Sequence, residues 1–463
     1  MQLKATIQQR RQKLADRFNG SVVLWSGSRT ARNFPANVYP FRASSHFLYF
    51  AGLPLEQAAI RLDGGKLELF MDDSNATAEL WHGKTPSRAQ IAESIGADAA
   101  YPMSELAAKL NGNSLQTATL PVQDKATLAQ QQQLLQRTIS SQALIKPGEN
   151  EATIDRTLAL AIVELRLCHD QGAISELKKA ASVTIEAHKA GMTAAKSAKR
   201  EADIRAAIEQ VIMANNMTCA YQSIVTVHGE VLHNEHYHHP VSPGDLLLAD
   251  VGAETELGWA ADVTRTFPVS GKFSASQRAI YEVVLAAHDA CIDRLAPGVE
   301  YRDIHLTAAR ILAEGLVDLG ILKGKPDDLV DLDAHALFFP HGVGHILGLD
   351  VHDMEDLGDL AGYEVGRTRS DRFGLGYLRL DRPLRAGMLV TIEPGFYQVP
   401  AILENQDWRE KYQDLVDWQR LADFADVRGI RIEDDVLITD SGCEVLTSAL
   451  PTKPEAIEEL VTG

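Results

Sequence analysis

Carboxylates that end or interrupt apolar strand sequence are the residues of this chain best suited to chemistry. The run Asp245-Leu-Leu-Leu-Ala-Asp250 ends on one, and after the turn-prone Glu254-Thr-Glu256 the chain resumes as Leu257-Gly-Trp-Ala-Ala-Asp262-Val-Thr-Arg265. That is a hairpin pattern, with Asp250 and Asp262 on antiparallel neighbours about 5 Å apart. Carboxylates that close in apolar surroundings repel unless a cation lies between them, and a solvated hairpin is the alternative. Farther on, His341, His345 and His352 fall within twelve positions of the glycine-spaced run Phe338-Phe-Pro-His341-Gly-Val-Gly-His345-Ile-Leu-Gly-Leu-Asp-Val-His352. Pro340, Gly342 and Gly344 argue against a helix, and no glutamate follows His341, so a helical zinc pair fails. Gly342, Gly344 and Gly348 do not make a dinucleotide loop either. Histidines on extended chain can instead line a cleft.

Two glutamates complete the set. Leu389-Val-Thr-Ile-Glu393-Pro-Gly is a β-branched run that delivers Glu393 and stops at Pro-Gly. In Gly429-Ile-Arg431-Ile-Glu433-Asp, period two puts Arg431 and Glu433 on one face. A glutamate inside an isoleucine strand is costly to bury without a partner. Two Asp, two Glu and one His suit a pair of hard or borderline divalent ions: Mn, Co, Zn or Mg. Two such ions about 3.5–4 Å apart can share a water and bring its pKa into the neutral range. The chemistry implied is hydrolysis.

These residues need strands to carry them and enough chain to bury them. The 463 residues allow two or three domains, and 45 % hydrophobic with 23 % charged residues is a globular balance. The formal charge of −18 disfavours phosphate backbones, so nucleic-acid binding is not expected. The four cysteines, Cys168, Cys219, Cys291 and Cys443, form no CxxC, which fits a reducing compartment. No apolar leader core and no 18-residue apolar run is found, so the expectation is a cytoplasmic protein without membrane contact. Short β-prone runs at 21–26, 58–62 and 67–71 alternate with helix-prone stretches at 88–93 and 103–109, an α/β pattern. Gln130–Gln133 reads as helix surface. Asn150 reads as a helix N-cap with Glu151 in the first turn. Helices are expected at 154–165, 174–192, 201–215, 276–295 and 301–319. A boundary near residue 170 separates a smaller α/β domain, 1–170, from an α+β domain, 171–463.

From about 170 to 450 the chain resembles the pita-bread metallopeptidases: methionine aminopeptidase, aminopeptidase P and prolidase. The motifs are Leu248-Ala-Asp250-Val-Gly, Ala261-Asp262-Val-Thr-Arg-Thr-Phe-Pro, His341-Gly-Val-Gly-His345, Thr391-Ile-Glu393-Pro-Gly and Gly429-Ile-Arg-Ile-Glu433-Asp, in family order. Residues 1–170 resemble the N-terminal domain of aminopeptidase P and prolidase, notably Tyr39-Pro-Phe-Arg42-Ala-Ser-Ser-His-Phe-Leu-Tyr-Phe-Ala-Gly52. Methionine aminopeptidases lack that domain. The resemblance implies that Asp250 chelates one metal, Asp262 and Glu433 bridge two, and His345 and Glu393 complete the second. It makes His233 a substrate-side histidine, and has His341 and His352 orient the scissile carbonyl and stabilise the tetrahedral intermediate. It pairs Arg431 with a metal carboxylate and matches Tyr221 to an active-site tyrosine. One departure stands out: Asp250 and Asp262 are twelve apart, one more than is usual in the family. The extra residue belongs either to the tip near Glu256 or to a bulge beside Asp262.

The implied reaction is cleavage of an Xaa-Pro bond by an enzyme with two divalent ions, Mn first and Co or Zn as alternatives. The N-terminal motif leans to an Xaa-Pro aminopeptidase. The long 396–428 segment and Arg379, placed where dipeptidases grip a free carboxylate, lean to prolidase; a surface pair of Arg379 with Asp381 or Asp371 is the other reading. A non-catalytic relative would have lost ligands, and all five stand here. A non-peptide ester substrate is a third possibility. A homodimer or homotetramer is expected. In relatives a tryptophan in a motif like Glu79-Leu-Trp81-His-Gly reaches a neighbouring subunit; packing within its own domain is the alternative for Trp81.

Overall fold

The computed structural model describes residues 2–110, 112–145 and 153–463. The chain divides into two compact units, one of Met1–Gly172 with Met354–Ala361, the other of Ala173–Asp353 with Gly362–Gly463.

In the first unit four strands form one sheet in the order Val22–Trp25, Ala59–Asp63, Lys66–Phe70, Ala99–Tyr101; the first three run antiparallel and the last pairs parallel. Val23, Trp25, Phe70, Leu110 and Leu135 make its core. Helix Arg88–Ile95 starts on a Ser87/Gln90 capping box and ends at Gly96 in the left-handed region, the signals expected of a short helix. The glutamine run lies on helix Lys125–Leu135, but Gln131 is fully buried. Its amide donates to the Leu120 carbonyl and its oxygen accepts from Val122 N–H, so this glutamine is core rather than surface. Asn150 and Glu151 lie outside the described residues; helix Ile154–Arg166 is capped by the Thr153 hydroxyl. Helix Ala76–His82 buries no residue, and Trp81 is 75 % exposed, which removes the packed reading of that side chain. The excursion Met354–Ala361 joins this unit through His46. Arg166 donates to His46 Nδ1 (2.9 Å), which leaves Nε2–H for the Asp356 carboxylate (3.0 Å).

The second unit is α+β. Helix Gln171–Ala195, begun three residues before the expected start, is followed by Glu201–Ala214, Ala275–Asp293 and Tyr301–Asp318. Strand Leu246–Asp250 pairs antiparallel with both Ile224–Thr226 and Thr264–Pro268. Leu389–Ile392, Asp434–Ile438 and Cys443–Val445 form a second antiparallel sheet, and Gly395–Tyr397 pairs with Gly429–Arg431. The hairpin keeps one register throughout: Thr264 opposes Asp250, Val251 N–H bonds the Val263 carbonyl, Ala261 N–H bonds the Ala253 carbonyl, and Glu254 bridges Ala260. No bulge separates Asp250 from Asp262, so the additional residue sits in the tip, where Thr255 N–H reaches the Trp259 carbonyl (2.9 Å). Gly252 faces Asp262 across this ladder, and a Cβ there would lie 1.7 Å from the Ala261 oxygen. No helix of the described residues is long and apolar enough to cross a membrane.

Candidate active site

Strand geometry aims the acids. Asp250 is opposite Thr264, and Asp262 is two residues before Thr264, so all three project from one face. Glu393 follows strand Leu389–Ile392, and Glu433 lies between Gly429–Arg431 and Asp434–Ile438. The histidine loop is zipped to the Glu393 strand: Thr391 N–H bonds the His345 carbonyl (3.0 Å) and Glu393 N–H the Val343 carbonyl (2.8 Å). That approach needs Gly344, where a Cβ would stand 2.1 Å from the Thr391 oxygen.

The result brings Asp262, His345 and Glu433 together, all buried, with one ligand atom from each within 4.8 Å of the others. His345 Nδ1 bonds the Ile346 carbonyl (3.1 Å) and therefore carries its proton, so Nε2 presents a lone pair. That lone pair faces Asp262 Oδ2 at 3.3 Å and Glu393 Oε1 at 3.9 Å. Burial pushes the His345 pKa down to about 4, so the imidazole is neutral. Asp262 is pushed up to about 7 by burial and then by Asp250. Glu393 rises to about 8 through burial, against the pull of Arg431 and with the push of Asp262 and Asp250. Glu433 is raised well above the usual range, by burial and then by Asp262. Arg431 donates to Asp250 and stands 4.0 Å from Glu393 Oε2, a single guanidinium for four carboxylates. Lone pairs facing lone pairs, with one guanidinium among four acids, fit cations between them.

Tyr221 is brought in as well, its hydroxyl against both Asp250 and Asp262. This places it among the acids rather than on open cleft wall. His352 stacks edge-on to His345 with ring centroids 4.3 Å apart, and burial lowers its pKa to about 3. His233 stands at the exposed rim, its pKa lowered by partial burial and then by Arg431. His341 lies beside Glu393, its Nδ1 3.7 Å from Oε2. Its Nδ1 donates to the Gly342 carbonyl (2.8 Å), so its Nε2 must accept from the Tyr397 hydroxyl (2.8 Å), which in turn accepts from Arg431 (2.8 Å). Both nitrogens have partners within the protein, and His341 ends an Arg431–Tyr397–His341 chain. Tyr397 was not singled out from the sequence, although it closes the Glu393-Pro-Gly-Phe-Tyr397 run. Arg379 is partly buried, which lowers its pKa against the opposing charge of Glu393. The Asp381 carboxylate, considered above as its surface partner, is held by Arg302 and by Arg367 (2.9 Å).

Comparison with known proteins identifies the family. Residues 175–440 match metallopeptidase family M24, and residues 7–119 match the aminopeptidase P N-terminal domain. The chain belongs to family M24, with the pita-bread catalytic fold and an aminopeptidase P-type N-terminal domain. Within that family its relatives are of the Xaa-Pro kind. It is 32 % identical to the Xaa-Pro aminopeptidase of Escherichia coli over 98 % of this chain and 97 % of that protein. It is likewise 32 % identical to the human Xaa-Pro dipeptidase over 96 % of this chain and 88 % of that one. Zinc-substituted E. coli aminopeptidase P in complex with product superposes with a TM-score of 0.79 at 31 % identity, covering 99 % and 98 % of the two chains. Pseudomonas aeruginosa aminopeptidase PepP gives 0.78 at 29 %, again over 99 % and 98 %.

Proposed function

We propose that this metallopeptidase is an Xaa-Pro aminopeptidase working with two divalent ions, Mn first and Co or Zn as alternatives. The observation that carries the reading is the lone pair of neutral His345 turned toward buried carboxylates that one guanidinium leaves uncompensated. Asp250 would hold one ion, Asp262 and Glu433 would bridge both, and His345 and Glu393 would complete the second. Bound there, the ions would polarise a peptide carbonyl and acidify a water.

The chain's own groups supply the rest. Arg431 fixes Asp250 and, through Tyr397, the ring of His341. Tyr221 restrains the Asp250 and Asp262 carboxylates from the other side. His352 and His233 offer N–H groups to a substrate oxygen as negative charge develops on it. An Xaa-Pro bond has no N–H of its own, so no partner for one is required.

The test is metal analysis of the purified protein together with an Ala-Pro against Ala-Pro-Ala panel. Tripeptide cleavage at least as fast as dipeptide cleavage, lost with the metal, is expected. Cleavage of Ala-Pro alone would move the assignment to prolidase, the reading that the position of Arg379 near Glu393 favours. The same proposal includes a homodimer or homotetramer, with Leu80 and Trp81 on an exposed face. Light scattering that shows a monomer at micromolar concentration would remove the assembly.

A further inference from the structure

Strand Thr264–Pro268 carries three consecutive side chains that grip the segment from Arg431 to Asp434. Thr264 is fully buried. Its hydroxyl lies 3.0 Å from Arg431 Nε and 2.7 Å from Glu433 Oε2. A guanidinium N–H can only donate, so the hydroxyl oxygen accepts from Arg431. Its single proton is then committed to Glu433. The Thr264 carbonyl also accepts from Glu433 N–H (3.0 Å). Thr266 does for Arg431 what Thr264 does for Glu433: its hydroxyl meets both the N–H and the carbonyl of Arg431 at 3.1 Å. Between them Arg265, 0 % exposed, donates to the Glu433 carbonyl (2.6 Å) and to Asp434 Oδ1 (2.8 Å).

We propose that Thr264 is a positioning residue for the metal centre: its hydroxyl ties Oε2 of Glu433 to Arg431 and so fixes the orientation in which that carboxylate would meet the ions. The inference rests on the reading of Glu433 as a metal ligand. Arg265 and Thr266 hold the backbone around that carboxylate, whereas Thr264 alone of the three touches the carboxylate itself. Its geometry fixes which way the single proton points, and that direction is lost when the hydroxyl is lost. Groups that orient a ligand in this way typically change metal affinity by about 10–100-fold when removed.

Thr264→Ser and Thr264→Ala both lose the methyl group and differ from each other only by the hydroxyl. Mn binding to the full-length protein, titrated by calorimetry after chelation, is expected to stay within about threefold of wild type in T264S and to weaken about 10–100-fold in T264A. T264A also strips Arg431 Nε of its buried acceptor, so its metal-free unfolding midpoint should fall below that of T264S. Mn affinity is therefore read well below both midpoints, where each variant is folded, and its recovery by serine is the readout of positioning. Thr264→Val, which keeps the shape, provides a second version of the same contrast. Equal Mn affinity in T264S and T264A, each measured on folded protein, would overturn the proposal. Glu433→Gln binding Mn as tightly as wild type would instead overturn the ligand reading underneath it, so the two failures are distinct.

Discussion

Arg11 in the first unit and Arg431 in the second are both buried guanidiniums, and they do opposite things. Arg11 donates to the carbonyls of Phe50, Ile95 and Gly96 at 3.2, 2.9 and 2.9 Å. These lie in the last turn of helix Ser45–Ala51, at the last residue of helix Arg88–Ile95 and at the cap of the second, where carbonyls lack helical partners and the dipole is negative. The charge is spread over neutral acceptors, and burial lowers the Arg11 pKa to about 10. Its neighbour Arg10 forks onto both oxygens of Asp170 (2.7 and 3.1 Å). Around Arg431, by contrast, four carboxylates share one bonded cation. Buried charge in the first unit is matched group for group and holds the fold. In the second it is left in excess, and that excess is what a divalent ion would answer.

Removing an acid from the second unit is the most forceful test of this contrast. Asp262→Asn or Glu433→Gln should abolish occupancy of both metal sites and lower kcat by about a thousandfold or more. Yet the metal-free variant should be no less stable than metal-free wild type, because the amide keeps the shape of the acid without the cost of a buried charge. Metal analysis and thermal unfolding after chelation check the two halves. Full occupancy, or a marked loss of metal-free stability, would remove the distinction between the units.

Acidity sharpens it further. Asp262 and Glu393 hold protons in the metal-free fold up to about 7 and 8, whereas unfolded carboxyls release theirs near about 4. Their stabilising contribution is complete below about 4 and is lost as pH rises through 7 and 8. Metal-free stability should therefore fall from about pH 4.5 upward, most steeply between about 5 and 6.5 at up to about 2.7 kcal/mol per pH unit for the two groups together, and level off above about 8. Urea midpoints at pH values between about 5 and 8.5 measure the slope and its levelling, and saturating Mn should flatten it. A metal-free protein that gains stability over the same range would contradict the charge excess.

In the first unit the corresponding change acts on the fold alone. Arg11→Ala leaves three helix-end carbonyls without a donor, and breaking such a buried arrangement costs about 3 kcal/mol. The urea midpoint should drop while the Mn stoichiometry of the folded protein stays at its wild-type value. A change in that stoichiometry would mean that the two units are not separable in this way.

What could be read from sequence follows the same division. Asp250, Asp262, Glu393 and Glu433 were visible because a carboxylate at the end of an apolar strand is an anomaly, and His345 because glycines surround it. Thr264 and Tyr397 were not, since a threonine in a strand and a tyrosine after Pro-Gly are ordinary; only the direction of their hydrogen bonds gives them a role. The partners of His341's two nitrogens are a matter of tertiary contacts that its motif does not show. Gln131 was read as surface because composition does not show which face of a helix meets the core. The excursion Met354–Ala361 depends on His46 meeting Asp356 across 310 residues, a separation at which local pattern carries no signal.

The smallest effect expected concerns Arg379, the second unit's other cationic group near Glu393. A dipeptide ends in a carboxylate beside its proline ring, and a guanidinium within reach would bind it; a longer peptide carries a neutral amide at that point. Loss of a charged partner is worth about 1.5–3 kcal/mol, and about 1.4 is tenfold. Arg379→Ala should therefore raise KM for Ala-Pro by about tenfold or more. For Ala-Pro-Ala the same variant should shift KM by less than about threefold, because the peptide offers Arg379 no charge at that position. Lysine in its place would restore the charge without the planar fork, so Arg379→Lys should recover only part of the dipeptide affinity. Steady-state kinetics on both substrates separate the terms. If KM for the tripeptide rises as steeply as for the dipeptide, Arg379 is part of the general balance of charge around Glu393, and the excess of acid in this unit is smaller than Arg431 alone implies.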